Sequence, residues 1–257
     1  MIRPASILRS MRRTLPSTLH LFARSFSATP PSLTKLTIRP DGVAVIEMNR
    51  SSSPPFTFCP PSSSLLASRP AVNSLNRELM SDLTKSLIAA AEDKSAKAVV
   101  LTSSKFGIFS AGLDINEMII TGQRDSASED RLFTFWTTLQ DLWLQLYALH
   151  ALRAYVLCNN LTRYAHPQPV VAAINGHAPA GGCLLSMSCD WRIMSSGPFK
   201  IGLNETQLGI AAPLWFGETL TAIVGQRQTE KLLQVRRSLF ERLSSACAFR
   251  AMCDTLV

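Results

Sequence analysis

The chain is 257 residues long, 46% hydrophobic and 17% charged, with 12 Gly, 15 Pro and a formal net charge of +8. This composition excludes collagen-like and generally disordered chains, and no uninterrupted apolar run of about 18 residues occurs, so no membrane span is expected. The charge is local: Arg3, Arg9, Arg12, Arg13, Arg24, Lys35 and Arg39 all precede the first acid, Asp41, leaving 19 basic against 18 acidic residues in the rest. So even a balance argues against a nucleic-acid partner for the folded part.

The first 26 residues are Arg- and Ser-rich and free of acids, the composition of a mitochondrial transit peptide. Leu8, Met11, Leu15, Leu19 and Phe22 recur at helical spacing beside the arginines, and Arg24-Ser25-Phe26-Ser27 resembles a matrix processing site. Such a leader places the chain in the mitochondrial matrix, where the six cysteines are expected to be reduced. They show no CxxC pair and the histidines are scattered, so no metal site is expected.

Past the leader, Gly42 to Met48 has the small and branched apolar residues of a strand. Residues 51–70 are Ser- and Pro-rich and predict a long loop. Leu75, Leu79, Leu83, Leu87 and Ala90 predict an amphipathic helix, with Ser74 as its N-cap. Ala98 to Thr102 is a buried-type strand, and Phe106 to Asp114 a strand with a tight turn. Residues 129–149 predict a second amphipathic helix, in which Trp136 and Trp143 sit on the core side. Val170 to Asn175 is a third buried-type strand, with a turn and helix over Gly176 to Cys189. Strand, turn and helix recur, which predicts a parallel α/β architecture.

Three segments after strands combine glycine with chemistry-bearing residues: Ser110 to Asp114, Asn175 to Cys183, and Ile201 to Ile210. Glycine at a strand-to-helix turn lets backbone N–H groups approach a ligand closely. Singly these are weak signals. The second is neither a dinucleotide fingerprint nor a Walker loop, and close helix–strand packing accounts for it equally well. Asp114 alone is more simply a helix N-cap, and a lone Glu205 a solvated acid. Asp190 and Arg192 read as a structural ion pair, and His166 and His177 as structural or exposed.

Taken together and in order, the stretches GVAVIEMNR, PAVNSLN, KAVVLTS, FSAGLDINEM, LQDLWLQLY, PVVAAINGHAPAGGCLLSMSCDWRIM and IGLNETQLGIAAPLW resemble the enoyl-CoA hydratase/isomerase (crotonase) superfamily, and within it the mitochondrial Δ3,Δ2-enoyl-CoA isomerases. The resemblance implies an α/β fold built as a spiral of ββα repeats and an acyl-CoA substrate, with no cofactor beyond the coenzyme A that the substrate carries. It implies an oxyanion hole from the N–H groups of Ala111 and Gly181, and a substrate-binding set of Ala111, Gly112, Leu113, Asp114, Ile115, Gly181 and Asn204. It makes Glu205 the catalytic base, its pKa raised by apolar neighbours such as Leu203, Leu208 and Ile210.

Hydratases of the family use two glutamates, and the position of the first falls on Leu184. One base without a water-activating partner fits a 1,3-proton shift, which would serve β-oxidation of unsaturated fatty acids. The alternatives are a hydratase-type crotonase and an inactive or RNA-binding homologue. By the same resemblance the core spans 36–234, interrupted at about 51–69 and 148–167. The family's carboxyl-terminal helical region, through which its members form homotrimers, has no counterpart in the divergent tail 235–257. These departures resemble retained introns and a shifted reading frame, so a truncated core is the expectation.

Overall fold

The computed structural model describes residues 32–50, 72–118, 125–159 and 168–234, with the helical stretch 147–159 and residues 207, 208 and 234 described by backbone alone. The leader 1–26, the segment 51–69, residues 160–167 with His166, the tail 235–257, and Cys59, Cys247 and Cys253 lie outside the described residues.

β1 (Thr34–Ile38) and β2 (Val43–Met48) form an antiparallel pair, and β2 then pairs in parallel with β3 (Ala98–Ser103). β5 (Val170–Ile174) lies beside β3, and β7 (Trp191–Met194) beside β5, both in parallel. The result is a five-stranded sheet of order β1-β2-β3-β5-β7. Every second residue of its inner strands is fully buried: Ala44, Ile46 and Met48; Val99 and Leu101; Val170, Ala172 and Ile174. This period of two matches the pleat, with one face turned to the core.

α1 (Arg77–Glu92) covers β1 and β2 with Leu79, Met80, Leu83, Leu87 and Ala90, and packs along α3. Each such leucine contributes roughly 1.5–3 kcal/mol by leaving water. Its N-cap is Asn76, whose side chain accepts the Leu79 N–H at 2.9 Å, rather than Ser74. Ser74 is two residues too early, and it is held instead by Arg50 and Asp114. α3 runs from Ser126 to Asn159, ten residues past the expected end. Nothing in Ala148 to Cys158 interrupts it, because the first proline after Leu149 is Pro167.

A second, three-stranded parallel sheet is made of very short strands: β4 (Gly107–Ile108), β6 (Gly176–Pro179) and β8 (Ile201–Gly202), in the order β4-β6-β8. Gly176 to Pro179 is therefore a strand and not the expected turn, and the helix after it, α4, is confined to Gly181–Met187. The chain alternates between sheets, from β3 to β4, from β5 to β6 and from β7 to β8. That alternation is the repeat of the spiral. α2 (Ile115–Met118), α5 (Leu214–Val224) and α6 (Gln226–Gln234) complete the described part.

Cys183 and Cys189 are buried thiols, and burial pushes the Cys189 thiol up to about 12. Among the described residues, no helix is long and apolar enough to cross a membrane, and no group of three or more His, Cys, Asp or Glu could hold a metal ion.

Candidate active site

The small sheet decides where the site lies. Its strands are parallel and adjacent, with Ile108 opposite His177 and Pro179 opposite Gly202. The three glycine-bearing segments therefore leave the sheet at the same, carboxyl-terminal end. That end of a parallel sheet is where ligands bind in open α/β folds.

The first segment is tied down residue by residue. Ser110 N–H donates to the His177 carbonyl at 3.2 Å, Ala111 N–H to Val72 at 3.1 Å, and Asp114 N–H to Leu75 at 3.0 Å. Gly112 N–H donates to Ser110 Oγ at 3.2 Å, and the Gly112 carbonyl accepts from Leu75 N–H at 2.8 Å. Leu113 is the exception in this run: its N–H has no acceptor among the described residues. Asn73, fully buried and at φ 50°, underlies the segment, donating to Ser103 Oγ at 2.8 Å and to the Phe109 carbonyl at 3.2 Å.

The second segment turns sharply at Ala180, a non-glycine residue at φ 47° and ψ −117°. Its N–H donates to the Gly202 carbonyl at 2.8 Å, which links the turn to β8. The next residue, Gly181, opens α4, and its N–H also has no acceptor among the described residues. A Cβ on Gly181 would lie 2.7 Å from Leu113 Cδ2 and 3.1 Å from Leu113 N. Only glycine lets these two backbones come this close. Gly112, at φ 94°, meets the same turn from the other side, where a Cβ would lie 3.2 Å from Ala180 Cβ.

In the third segment, Asn204 precedes a 3-10 turn, Glu205–Leu208, closed by Gly209 at φ 75°. Glu205 is 6% exposed, and both carboxylate oxygens are buried without a hydrogen-bond partner, as is Asn204 Oδ1. Burial raises the Glu205 pKa above the usual glutamate value, and its own backbone N–H opposes this only in part. A buried carboxylate left bare in this way is a strong base and a weakly solvated one. Leu203 is half-buried against the core, but Ile210 is exposed and supplies no apolar wall.

Two unused N–H groups beside each other and a bare carboxylate on the neighbouring strand end are the parts required to take a proton from carbon next to a carbonyl. A sequence profile of the enoyl-CoA hydratase/isomerase family matches residues 65–156 and 150–240. This chain belongs to that family. It is 42% identical over 167 residues to the human mitochondrial enoyl-CoA delta isomerase 1, covering 65% of this chain and 48% of the relative. It is 31% identical over 170 residues to the 2,3-dehydroadipyl-CoA hydratase of Escherichia coli, covering 66% and 56%. The crystal structure of human mitochondrial delta3-delta2-enoyl-CoA isomerase superposes with a TM-score of 0.59 at 37% identity, covering 79% of this chain and 63% of that one. The chain thus spans about half the length of the curated relatives it matches.

Against the crotonase-like frame, the expected site residues divide. Gly181, Asn204 and Glu205 stand at strand ends facing one end of the small sheet, with the polar groups just described. The Ala111 N–H, expected as an oxyanion donor, is bonded to the Val72 carbonyl, and the N–H without an acceptor is that of Leu113, two residues on. Gly112, at φ 94°, breaks the extended run between 111 and 113, so which of the two N–H groups is left over is set by the partners at 72 and 75. The Asp114 carboxylate is turned away from the site, pairing with Arg50 at 2.9 Å and capping α2 through the Asn116 N–H at 3.2 Å. Gly112 and Ile115 frame the segment, Ile115 as the first residue of α2.

Leu184, the position at which the resemblance places the first glutamate of the hydratases, is 2% exposed on α4. His177 accepts the Lys200 N–H at 3.1 Å and packs edge-on against Phe199. Asp190 and Arg192 both hold backbone, accepting from Val170 N–H and donating to the Cys189 carbonyl. Trp143 packs on Trp215 with centroids 5.3 Å apart, and Trp136 on Phe135 at 5.6 Å. The residues that sequence reasoning passed over are Arg50 and Asn73. Both stood inside quoted motifs, but their partners lie 23 to 64 residues away.

Proposed function

We propose that this chain isomerises 3-cis- and 3-trans-enoyl-CoA to 2-trans-enoyl-CoA in mitochondrial β-oxidation of unsaturated fatty acids. In this reading Glu205 removes a proton from C2, next to the thioester. The electron pair moves onto the thioester oxygen as the double bond shifts, giving a dienolate. Leu113 and Gly181 N–H groups hold that oxygen, each donor contributing about 10²–10³ in rate. The conjugate acid of Glu205 then protonates C4, and the double bond comes to rest between C2 and C3. Asn204, with its buried unpartnered oxygen, lines the path of the acyl group. No cofactor is required, because the thioester carries its own electron sink.

The observation that carries the reading is the pairing of a bare, buried Glu205 with an apolar Leu184. A hydratase must activate water as well as move a proton, and a leucine cannot. Similarity to the human mitochondrial isomerase supports the same reading, and with the Arg-rich leader it supports a mitochondrial location. The core is taken as 36–234. Likeness to the E. coli hydratase favours hydration as the second reading.

The two separate cleanly in one assay. Purified protein is supplied with 3-cis-octenoyl-CoA and, separately, 2-trans-octenoyl-CoA. Isomerisation yields the conjugated thioester from the first and leaves the second unchanged. Conversion of the second into 3-hydroxyoctanoyl-CoA at a comparable rate would assign hydration instead.

A further inference from the structure

We infer that Arg50 is a positioning residue for the thioester oxygen, acting through the backbone of the Ser110–Asp114 segment. The inference rests on the acyl-CoA reading above and adds what sets the aim of its donors. Arg50 lies two residues past the end of β2. Its side chain is 15% exposed and that of Asp114 is 6% exposed, so the pair is largely out of water.

The guanidinium makes a fork. Nη2 binds Asp114 Oδ2 at 2.9 Å, while Nη1 donates to the Ser74 carbonyl at 2.8 Å and also to Ser74 Oγ. Ser74 Oγ in turn donates to Asp114 Oδ2 at 3.4 Å. The Arg50 backbone N–H adds a bond to Asn73 Oδ1 at 2.8 Å. One residue thus grips 73–74 on one side and Asp114 on the other.

These are the two segments whose mutual register leaves Leu113 N–H unused. Between them run three backbone bonds, Ala111 to Val72, Leu75 to Gly112 and Asp114 to Leu75, and Ser110 Oγ donates to the Asn73 carbonyl at 2.7 Å. A slip of one residue would turn the Leu113 N–H toward Leu75 and leave a neighbouring residue's N–H, displaced along the chain, on the side of the thioester, because successive residues face opposite sides. A largely desolvated charge pair held by a fork of hydrogen bonds favours the arrangement that keeps them and penalises those that break them. Arginine is needed for this, since a lysine ammonium cannot make two parallel bonds in fixed directions.

The test uses the full chain with Arg50→Lys, which keeps the charge, and Asp114→Asn, which keeps the cap on α2. The probe is octanoyl-CoA labelled with carbon-13 at the carbonyl; it has no double bond to move. Infrared difference spectra report the hydrogen bonding of its carbonyl, and calorimetry reports its affinity. In the wild type the bound carbonyl stretch falls below its value in water. In both variants, folded by circular dichroism, the affinity is retained, the stretch returns toward the water value, and kcat on 3-cis-octenoyl-CoA drops about 10²-fold with KM little changed. A folded, octanoyl-CoA-binding variant with wild-type stretch and kcat overturns the assignment, as does loss of the fold in both variants, which would give Arg50 a purely structural part. If the wild type takes up no octanoyl-CoA, the acyl-CoA reading itself falls, and this inference with it.

Discussion

The Ser110–Asp114 segment and the Asn204–Glu205 turn leave the small sheet at the same end, yet their polar atoms are treated in opposite ways. In the first, four of five backbone N–H groups are bonded within the protein, and Arg50, Ser74 and Asn73 brace it from beneath. In the second, three side-chain oxygens are buried with no partner. An oxyanion donor works by being fixed before charge develops, so hydrogen bonds around it are an asset. A base that serves two carbons works by being poorly solvated and lightly held, so hydrogen bonds to it would weaken it. One site thus needs rigidity on one wall and deprivation on the other.

The largest effect expected from breaking this contrast is on the deprived wall. Glu205→Gln removes the base while keeping shape, and turnover should fall about 10²–10⁴-fold with acyl-CoA affinity retained. Gly181→Ala attacks the rigid wall. Its methyl would stand beside Leu113 N, where the thioester oxygen is proposed to sit, and kcat should fall about 10²–10³-fold in steady-state assays.

The pH response separates the walls further. Because burial raises the Glu205 pKa, activity should be lost on acidification through a midpoint above that of an ordinary glutamate. Stability runs the other way. The folded chain holds that proton more tightly than the unfolded one, so stability declines as pH rises from the unfolded to the folded pKa. Glu205→Gln should therefore melt at a higher temperature than wild type at neutral pH, with the advantage vanishing below the unfolded pKa of glutamate; equal melting across pH would deny the burial of charge.

The smallest effect expected is at Ala180. Its φ of 47° and ψ of −117° suit glycine, so Ala180→Gly should add about 1 kcal/mol of stability in denaturant titrations and leave kcat within a small factor.

The three inner strands of the large sheet were legible in the sequence because they carry short apolar runs, as in Ala98 to Leu101 and Val170 to Ile174, whereas its edge strands β1 and β7 mix polar residues in and were not read. Of the small sheet only β4 fell within an expected strand, Phe106 to Asp114. Two of its strands have two residues each, too short for any periodicity, and β6 contains glycine, histidine and proline. Glu205 and Gly181 could be singled out because their motifs are long and specific. The unused N–H at 113 was not foreseen because a motif fixes residue types, while which N–H is left over depends on partners at 72 and 75. Arg50 and Asp114 were unreadable as a pair for the same reason: 64 residues separate them, including a Ser- and Pro-rich stretch that hides their adjacency.

The most direct test of the central claim is the fate of 3-cis-octenoyl-CoA turned over in heavy water and analysed by NMR. The account predicts 2-trans-octenoyl-CoA with hydrogen or deuterium delivered at C4, no oxygen added at C3, and product formed at least about 10²-fold more slowly by Glu205→Gln. A 3-hydroxyacyl product, or undiminished turnover by Glu205→Gln, would contradict it.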